Sequence, residues 1–455
     1  MSHRLRLLRL VPLAAVVAAS SLLALLRAAD AGSVEERLRR LESIVTELRE
    51  ENAALRREAG RPAADKPAPA VAPAPATPAL RLTGDIRFRF SSTMYRAPDA
   101  ATRDQFYDQL HFGFVYAPNE NWDTGLRFAA GDLNTGFAGN PLAAQFSVAD
   151  NGARKYAFID QMFLRWKPSL GPDLKGAVTF GKYDNLFYVP SRILFDSDYM
   201  PEGITQELSV QLSQRHRLWF AGGQYLLDDL TGATHDPWMF AGRARWDAQW
   251  DSAWSTSLGV GHLAITNGVA LTAANVANNN RGNTRTPAGL LTRAYRPFYA
   301  EATVTHLFDH GPGYAGKFPI TFNADLLDNP GAPTNNHAWS AGLTFGKAGK
   351  AGQWEIGLRH LHIQPDAWWE EMLDGDYGAY YRTVPLGWNT DATSLAGGHG
   401  GGANIRSNAI RTSYSPKDYL LFSANLFVND LVRKIPAGTT DNCAKRFQLE
   451  GTVRF

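Results

Sequence analysis

The chain has 455 residues, with Lys+Arg at 46, Asp+Glu at 44 and aromatics at 11%. That length suits one large domain plus an appendage, and the balanced charge excludes a nucleic-acid surface driven by bulk charge. Mean hydropathy is slightly negative; this excludes a bundle of apolar transmembrane helices but not a barrel, in which only alternate residues meet lipid. The lone Cys443 excludes an intramolecular disulfide.

Arg4, Arg6 and Arg9 precede an apolar run from Leu10 to Leu26. Ala29-Asp30-Ala31 then supplies small residues at the cleavage-defining positions. Residues 1–31 therefore read as a secretory signal peptide, cut after Ala31 with Ala29 as the alternative. Val34, Leu41, Leu48 and Leu55 recur at heptad spacing, interleaved with Leu38, Val45 and Asn52. This predicts a short α-helical coiled coil over 32–60, periplasmic after export, with Asn52 setting register and oligomer state. A homotrimer is the expected assembly. Residues 61–79 carry Pro62, Pro67, Pro69, Pro73, Pro75 and Pro78. They form an extended spacer that reaches roughly 50–60 Å at ~3.1 Å per residue.

From Leu80 to the end, a different unit recurs. Leu82, Gly84, Ile86, Phe88 and Phe90 alternate with Thr83, Asp85, Arg87 and Arg89. Phe318, Ile320, Phe322, Ala324 and Leu326 alternate with Thr321, Asn323 and Asp325. At the carboxyl terminus, Phe447, Leu449, Gly451, Val453 and Phe455 alternate with Arg446, Gln448, Glu450, Thr452 and Arg454. One greasy and one wet face per strand is the unit of a membrane-spanning barrel. Strands are predicted over 80–91, 104–117, 121–131, 154–167, 173–183, 203–213, 216–227, 237–249, 253–265, 294–309, 316–327, 337–347, 352–364, 403–415, 418–430 and 444–455. The fourth, sixth, seventh and tenth alternate least cleanly.

Odd-to-even connections such as 132–153, 184–202, 266–293 and 365–402 are long. Even-to-odd ones, among them Gln214–Arg215 and Pro416-Lys417, are tight. That asymmetry, with the even count, predicts an all-β fold over 80–455. It is a 16-stranded antiparallel transmembrane β-barrel in the outer membrane, with both ends on the periplasmic side. An open sheet edge would be intolerable in lipid, so the last strand must close on the first.

Phe180 to Gly203 reads as a strand ending in Gly181-Lys182, then Asn185-Leu186-Phe187, Asp196-Ser197-Asp198 and Glu202-Gly203. This pattern resembles the "Putative porin" family of Gram-negative outer membranes, with Lys182 in place of the more usual Arg and Leu186 where Pro is common. The resemblance implies a signal peptide, a short coiled coil and a porin barrel. The closing Phe455 looks like the signal read by the outer-membrane insertion machinery. By strand count the chain also resembles general porins, whose third external loop folds inward. That implies a constriction at 184–202 in which Asp196, Asp198 and Glu202 face a basic wall of Arg87, Arg89, Arg127, Arg165, Arg243 and Arg245. Such a transverse field filters solutes by charge and dipole.

The function expected is a water-filled channel for passive diffusion of small hydrophilic solutes, with outer-membrane lipid around it. The alternative is an envelope tether or adhesin, in which the coiled coil grips cell wall or another layer. No arranged nucleophile suggests an enzyme, and no cofactor or metal is expected. Asp196, Asp198 and Glu202 are weak calcium candidates. His360 and His362 share a strand face without a third ligand in sequence. Gly397 to Gly402 lacks any accompanying Gly-x-Ser-x-Gly. Trp368, Trp369, Tyr377, Tyr380, Tyr381 and Trp388 enrich the longest loop, where they stack on sugars or pack the extracellular surface.

Overall fold

The computed structural model describes Thr46 and the chain from Ala79 to Phe455 apart from residues 99, 132–145, 149–153, 233, 272–281, 287–289, 382–397 and 435–440. The signal peptide and residues 61–78 of the spacer lie outside the described residues; Ala79, expected in the spacer, opens the first strand. Of the coiled-coil segment only Thr46 is described; it is helical and exposed.

Among the described residues sixteen strands form one closed antiparallel wall. In order they are β1 (Ala79–Tyr95), β2 (Arg103–Asn119), β3 (Trp122–Gly131), β4 (Tyr156–Trp166), β5 (Leu174–Lys182), β6 (Glu202–Ser213), β7 (His216–Leu226) and β8 (Trp238–Gln249). They continue with β9 (Trp254–Thr266), β10 (Phe298–Phe308), β11 (Phe318–Asp328), β12 (His337–Gly346), β13 (Gln353–Ile363), β14 (Ile405–Lys417), β15 (Leu420–Leu431) and β16 (Ala444–Arg454). Each strand pairs with its chain neighbours, and β16 closes on β1 from Asp85↔Arg454 to Tyr95↔Ala444. Phe455 completes the seam: Gly84 and Phe455 exchange both backbone hydrogen bonds at 3.1 Å. A short strand at Phe146–Ser147 adds to β2, and Gly378–Tyr381 pairs with Gly398–Gly401 outside the wall.

The two parities separate as expected. Leu82, Phe88, Leu449 and Val453 are exposed on the outer face, whereas Ser91, Gln448 and Thr452 are buried on the inner one. Aromatic pairs mark both rims of the outer face. Trp122–Trp166, Trp254–His306 and Phe318–Trp354 lie at the short-turn end. Phe90–Phe106, His262–Phe298 and Trp339–His362 lie at the long-loop end. Rings with an apolar body and a polar edge belong at such interfaces.

The strands with poor alternation have physical reasons. In β4 a bulge falls between Arg127 and Phe128 of β3, leaving Asp160 unpaired in the ladder. Parity flips there, so Ile159 points outward at 51% exposure while Gln161 is buried. In β6 and β7 the outward Gln206 and Gln224 break the greasy face, but they bond amide to amide at 2.9 and 3.2 Å. Mutual pairing removes the cost of unsatisfied amides in lipid.

Several boundaries differ from the sequence expectation, among them the end of β1, which runs to Tyr95 rather than 91, and two have a proline behind them. The tenth strand starts at Phe298 rather than 294. Pro297 accepts from the Leu263 amide at 3.0 Å but has no N–H to return. The turn placed at Pro416-Lys417 sits instead at Asp418–Tyr419. Pro416 lies in an irregular stretch between Tyr414 and Lys417, where the register with β15 shifts.

The inner wall changes character along its height. On β13 it runs from Glu355 and Arg359 to the fully buried Leu361 and Ile363. On β8 it runs from Asp247, Arg245 and Arg243 to Ala241 and Met239. On both of these strands the apolar end is the long-loop end. There Phe187, Val189, Ile193, Leu194 and Phe195 of connection 183–201, with Trp368, Met372 and Tyr377 of connection 364–404, pack against the wall. The hydrophobic core of this barrel lies inside its mouth, and inserted loops build it.

Candidate pore constriction

Connection 183–201 is flanked by a glycine two residues beyond each end. Gly181 has φ +104°, and a Cβ there would lie 2.2 Å from the Met162 carbonyl oxygen. Gly203 is its ladder partner, and a Cβ there would meet the Gln224 carbonyl oxygen at 2.1 Å. The Gly181-Lys182 and Glu202-Gly203 pairs of the sequence motif are thus a hinge that admits only glycine and turns the loop inward. Arg243 of β8 holds the loop: its Nη1 donates to the Leu186 oxygen at 2.8 Å and the Tyr188 oxygen at 3.3 Å. The same guanidinium pairs with Glu301, with Nε to Oε1 at 2.7 Å.

A second loop lies beside the first. Trp368 Nε1 donates to the Leu194 oxygen at 2.7 Å, and the Asp196 amide donates to the Met372 oxygen at 2.7 Å. Arg192 pairs with Asp374. A third connection, 267–297, is tied in through Arg285 and Glu370, whose side chains are both 0% exposed. Asn283 reinforces the tie, donating Nδ2 to the Pro365 oxygen at 2.6 Å and the Trp368 oxygen at 2.8 Å.

Asp376 reaches from the second loop to the wall of β16. It accepts from Arg446 Nη1 at 3.1 Å and Gln448 Nε2 at 2.8 Å. Burial alone would raise its pKa, but Arg89, Arg446, Arg192 and Arg411 outweigh that and hold the carboxyl well below the usual range. Asp196 behaves oppositely: burial pushes it well up, and Asp374 and Asp198 add to the rise. Burial also pushes Asp198 up, against the pull of Arg87, Arg192, Arg89 and His111.

The structure therefore sets Asp198 in the field of Arg87 and Arg89, with Arg89 bonded to Glu450 at 2.5 Å, and sets Asp196 beside Asp198, Asp374 and Arg192. It places the other expected residues elsewhere. Arg127 pairs with the bulged Asp160. Arg165 grips Asp123 with two bonds of 2.8 Å and Tyr183 with one of 2.6 Å. Arg245 pairs with Asp247 at 3.0 Å and stands over Trp219, toward the short-turn end. Glu202 is exposed at the start of β6 and makes no ion pair among the described residues. Sequence reasoning missed Asp374 and Asp376. Their signal was the aromatic density of the same loop: Trp368, Trp369, Tyr377, Tyr380 and Tyr381 are all buried, packing inward rather than on the extracellular surface. Trp388 lies outside the described residues. His360 sits on the outer face, bonded to Asn408 at 2.8 Å and set against Trp339.

No curated protein matches the chain by sequence. Solved structures similar to it include OprB of Pseudomonas putida at high pH, with 12% identity, TM-score 0.49 and coverage of 83% of this chain and 94% of that one. OmpT, an outer membrane protein of Vibrio cholerae, in its trimer form, gives 12% identity, TM-score 0.42 and coverage of 83% and 100%. A mutant of the Rh. blastica porin gives 10% identity, TM-score 0.41 and coverage of 83% and 100%. A family model described as "Putative porin" matches residues 100–272. That stretch contains the Phe180–Gly203 motif, its glycine hinge and the inward loop, and over it the chain is similar to the "Putative porin" family.

Proposed function

We propose that this protein is an outer-membrane porin that passes small hydrophilic solutes by passive diffusion. The observation that carries this reading is the closed wall with greasy outer rows and charged inner rows. Connections 183–201 and 364–404 form its constriction. Arg87 and Arg89 face Asp196, Asp198 and Asp376 across it, and Arg127, Arg165, Arg243 and Arg245 line or brace the wall. Glu202 stands at the base of the inward loop. The channel runs no reaction and needs no cofactor or metal. Outer-membrane lipid surrounds it. Residues 1–31 export it, and the heptads of 32–60 join three copies in the periplasm. Planar-bilayer recordings of the purified full chain test the channel: steps of ohmic conductance are expected, and a sealed barrel ends the proposal.

A further inference from the structure

We propose that Arg359 and Arg411 form a transit site for small organic carboxylates on the pore wall. This rests on the channel reading and names the solute class that the channel favours. Most lumen guanidiniums in this structure are matched by a carboxylate: Arg89 by Glu450, Arg127 by Asp160, Arg165 by Asp123, Arg243 by Glu301 and Arg446 by Asp376. Arg359 and Arg411 are not. Arg359 donates only to neutral acceptors, Ser340 Oγ at 2.8 Å and Asn323 Oδ1 at 3.2 Å. Arg411 has its Cζ 5.2 Å from the Phe427 ring centre and 5.8 Å from that of Tyr377, and its Nε is buried without a hydrogen-bond partner. Neither makes an ion pair among the described residues.

The ladder sets the two side by side. Arg359 lies opposite Ala409, and Arg411 is two residues further along the same inner face. Such diagonal neighbours stand roughly 7–8 Å apart at the backbone. Two like charges at that spacing repel, and a carboxylate between them satisfies both. The nearby acids do not reach either guanidinium as ion pairs: Asp376 is bonded to Arg446 and Gln448, Asp325 bonds Ser191 through one oxygen and feels Arg359 only at a distance, and Glu355 lies further down β13. Tyr377 and Phe427 cover one side of Arg411 and exclude water from it, which strengthens its attraction for an anion. The planar guanidinium fork matches a planar carboxylate. Neutral hydrogen bonds and ring faces orient the pair without a resident counter-ion, so a solute can bind and leave.

The test is the zero-current potential of the purified full chain in planar bilayers under a potassium acetate gradient. Wild type is compared with R359Q, R411Q and the double variant. The double variant is expected to lose about fivefold in the acetate-to-potassium permeability ratio, the size of effect that removing one modest charged contact gives. R217Q, which deletes a lumen charge near the short-turn end, is expected to change the ratio far less. A double variant that keeps the wild-type ratio overturns the proposal, as does an R217Q variant that loses as much. Either result leaves the channel intact, because potassium chloride conductance is read on the same protein. No conductance in wild type overturns the channel reading itself.

Discussion

Asp376 and Asp198 both lie in the field of Arg89, yet their acidities move in opposite directions. Asp376 accepts two hydrogen bonds from the wall and is surrounded by arginines, so its charge is held. Burial raises both Asp196 and Asp198; Asp374 and Asp198 add to the rise at Asp196, while nearby arginines only partly offset it at Asp198. The signs follow from linkage. A depressed pKa stabilises the fold above the unfolded value of about 3.9 and is lost only as pH falls through the folded value. A raised pKa favours the folded state in acid and is lost as pH rises through the folded value. On acidification Asp196 and Asp198 therefore discharge first, while Asp376 still anchors its loop. Anion permeability relative to cation is expected to rise as pH falls from neutral toward the ordinary carboxylate range. D196N with D198N together should flatten that rise in zero-current potentials read across pH. A rise that persists in the double variant would place the titrating group elsewhere.

At the scale of elements, the proposed constriction depends on how connections 183–201 and 364–404 are tied to each other and to a third. The Gly181/Gly203 hinge sets the angle of the first, since any side chain at Gly203 would strike the Gln224 carbonyl. Replacing both glycines with alanine should swing 183–201 out of the lumen, and single-channel conductance should increase. Unchanged conductance would mean that Arg243 alone holds the loop. The Arg285–Glu370 pair binds the third connection to the second with no exposed side-chain surface. Removing one partner from a fully buried ion pair costs about 3–5 kcal/mol, because the other charge is stranded. R285M should thus loosen connection 364–404, seen as faster proteolysis of that loop in folded protein, whereas R285M with E370M should recover most of the protection. The neutral pair removes the stranded charge that the single change leaves behind.

For the whole molecule, the wall closes because sixteen amphipathic strands leave no edge in lipid. The channel and tether readings diverge at the amino-terminal segment. Deleting 33–79 is expected to leave single-channel conductance intact while reducing the trimer fraction on native gels. An envelope defect with unaltered assembly would favour the tether, in which the coiled coil grips cell wall. The strand plan was legible in the sequence, because period-2 alternation and loop asymmetry are local consequences of one face in lipid and one in water. It blurred at Asp160, at Gln206 with Gln224, and at Pro297, where a bulge, an amide pair and a missing N–H break the pattern. Residues by themselves determined the strand count, the outward rows and the closing seam, while the inward course of the third long loop was implied only by the resemblance to general porins. Only the tertiary structure decided which charges meet. Arg243 became a brace, Arg245 stayed with Asp247, and Asp376 met Arg446 and Gln448 of the wall from a loop remote in sequence. Parity places a side chain on the inner wall, but its partner there is set by which loops fold in beside it, and that depends on contacts between residues far apart in the chain.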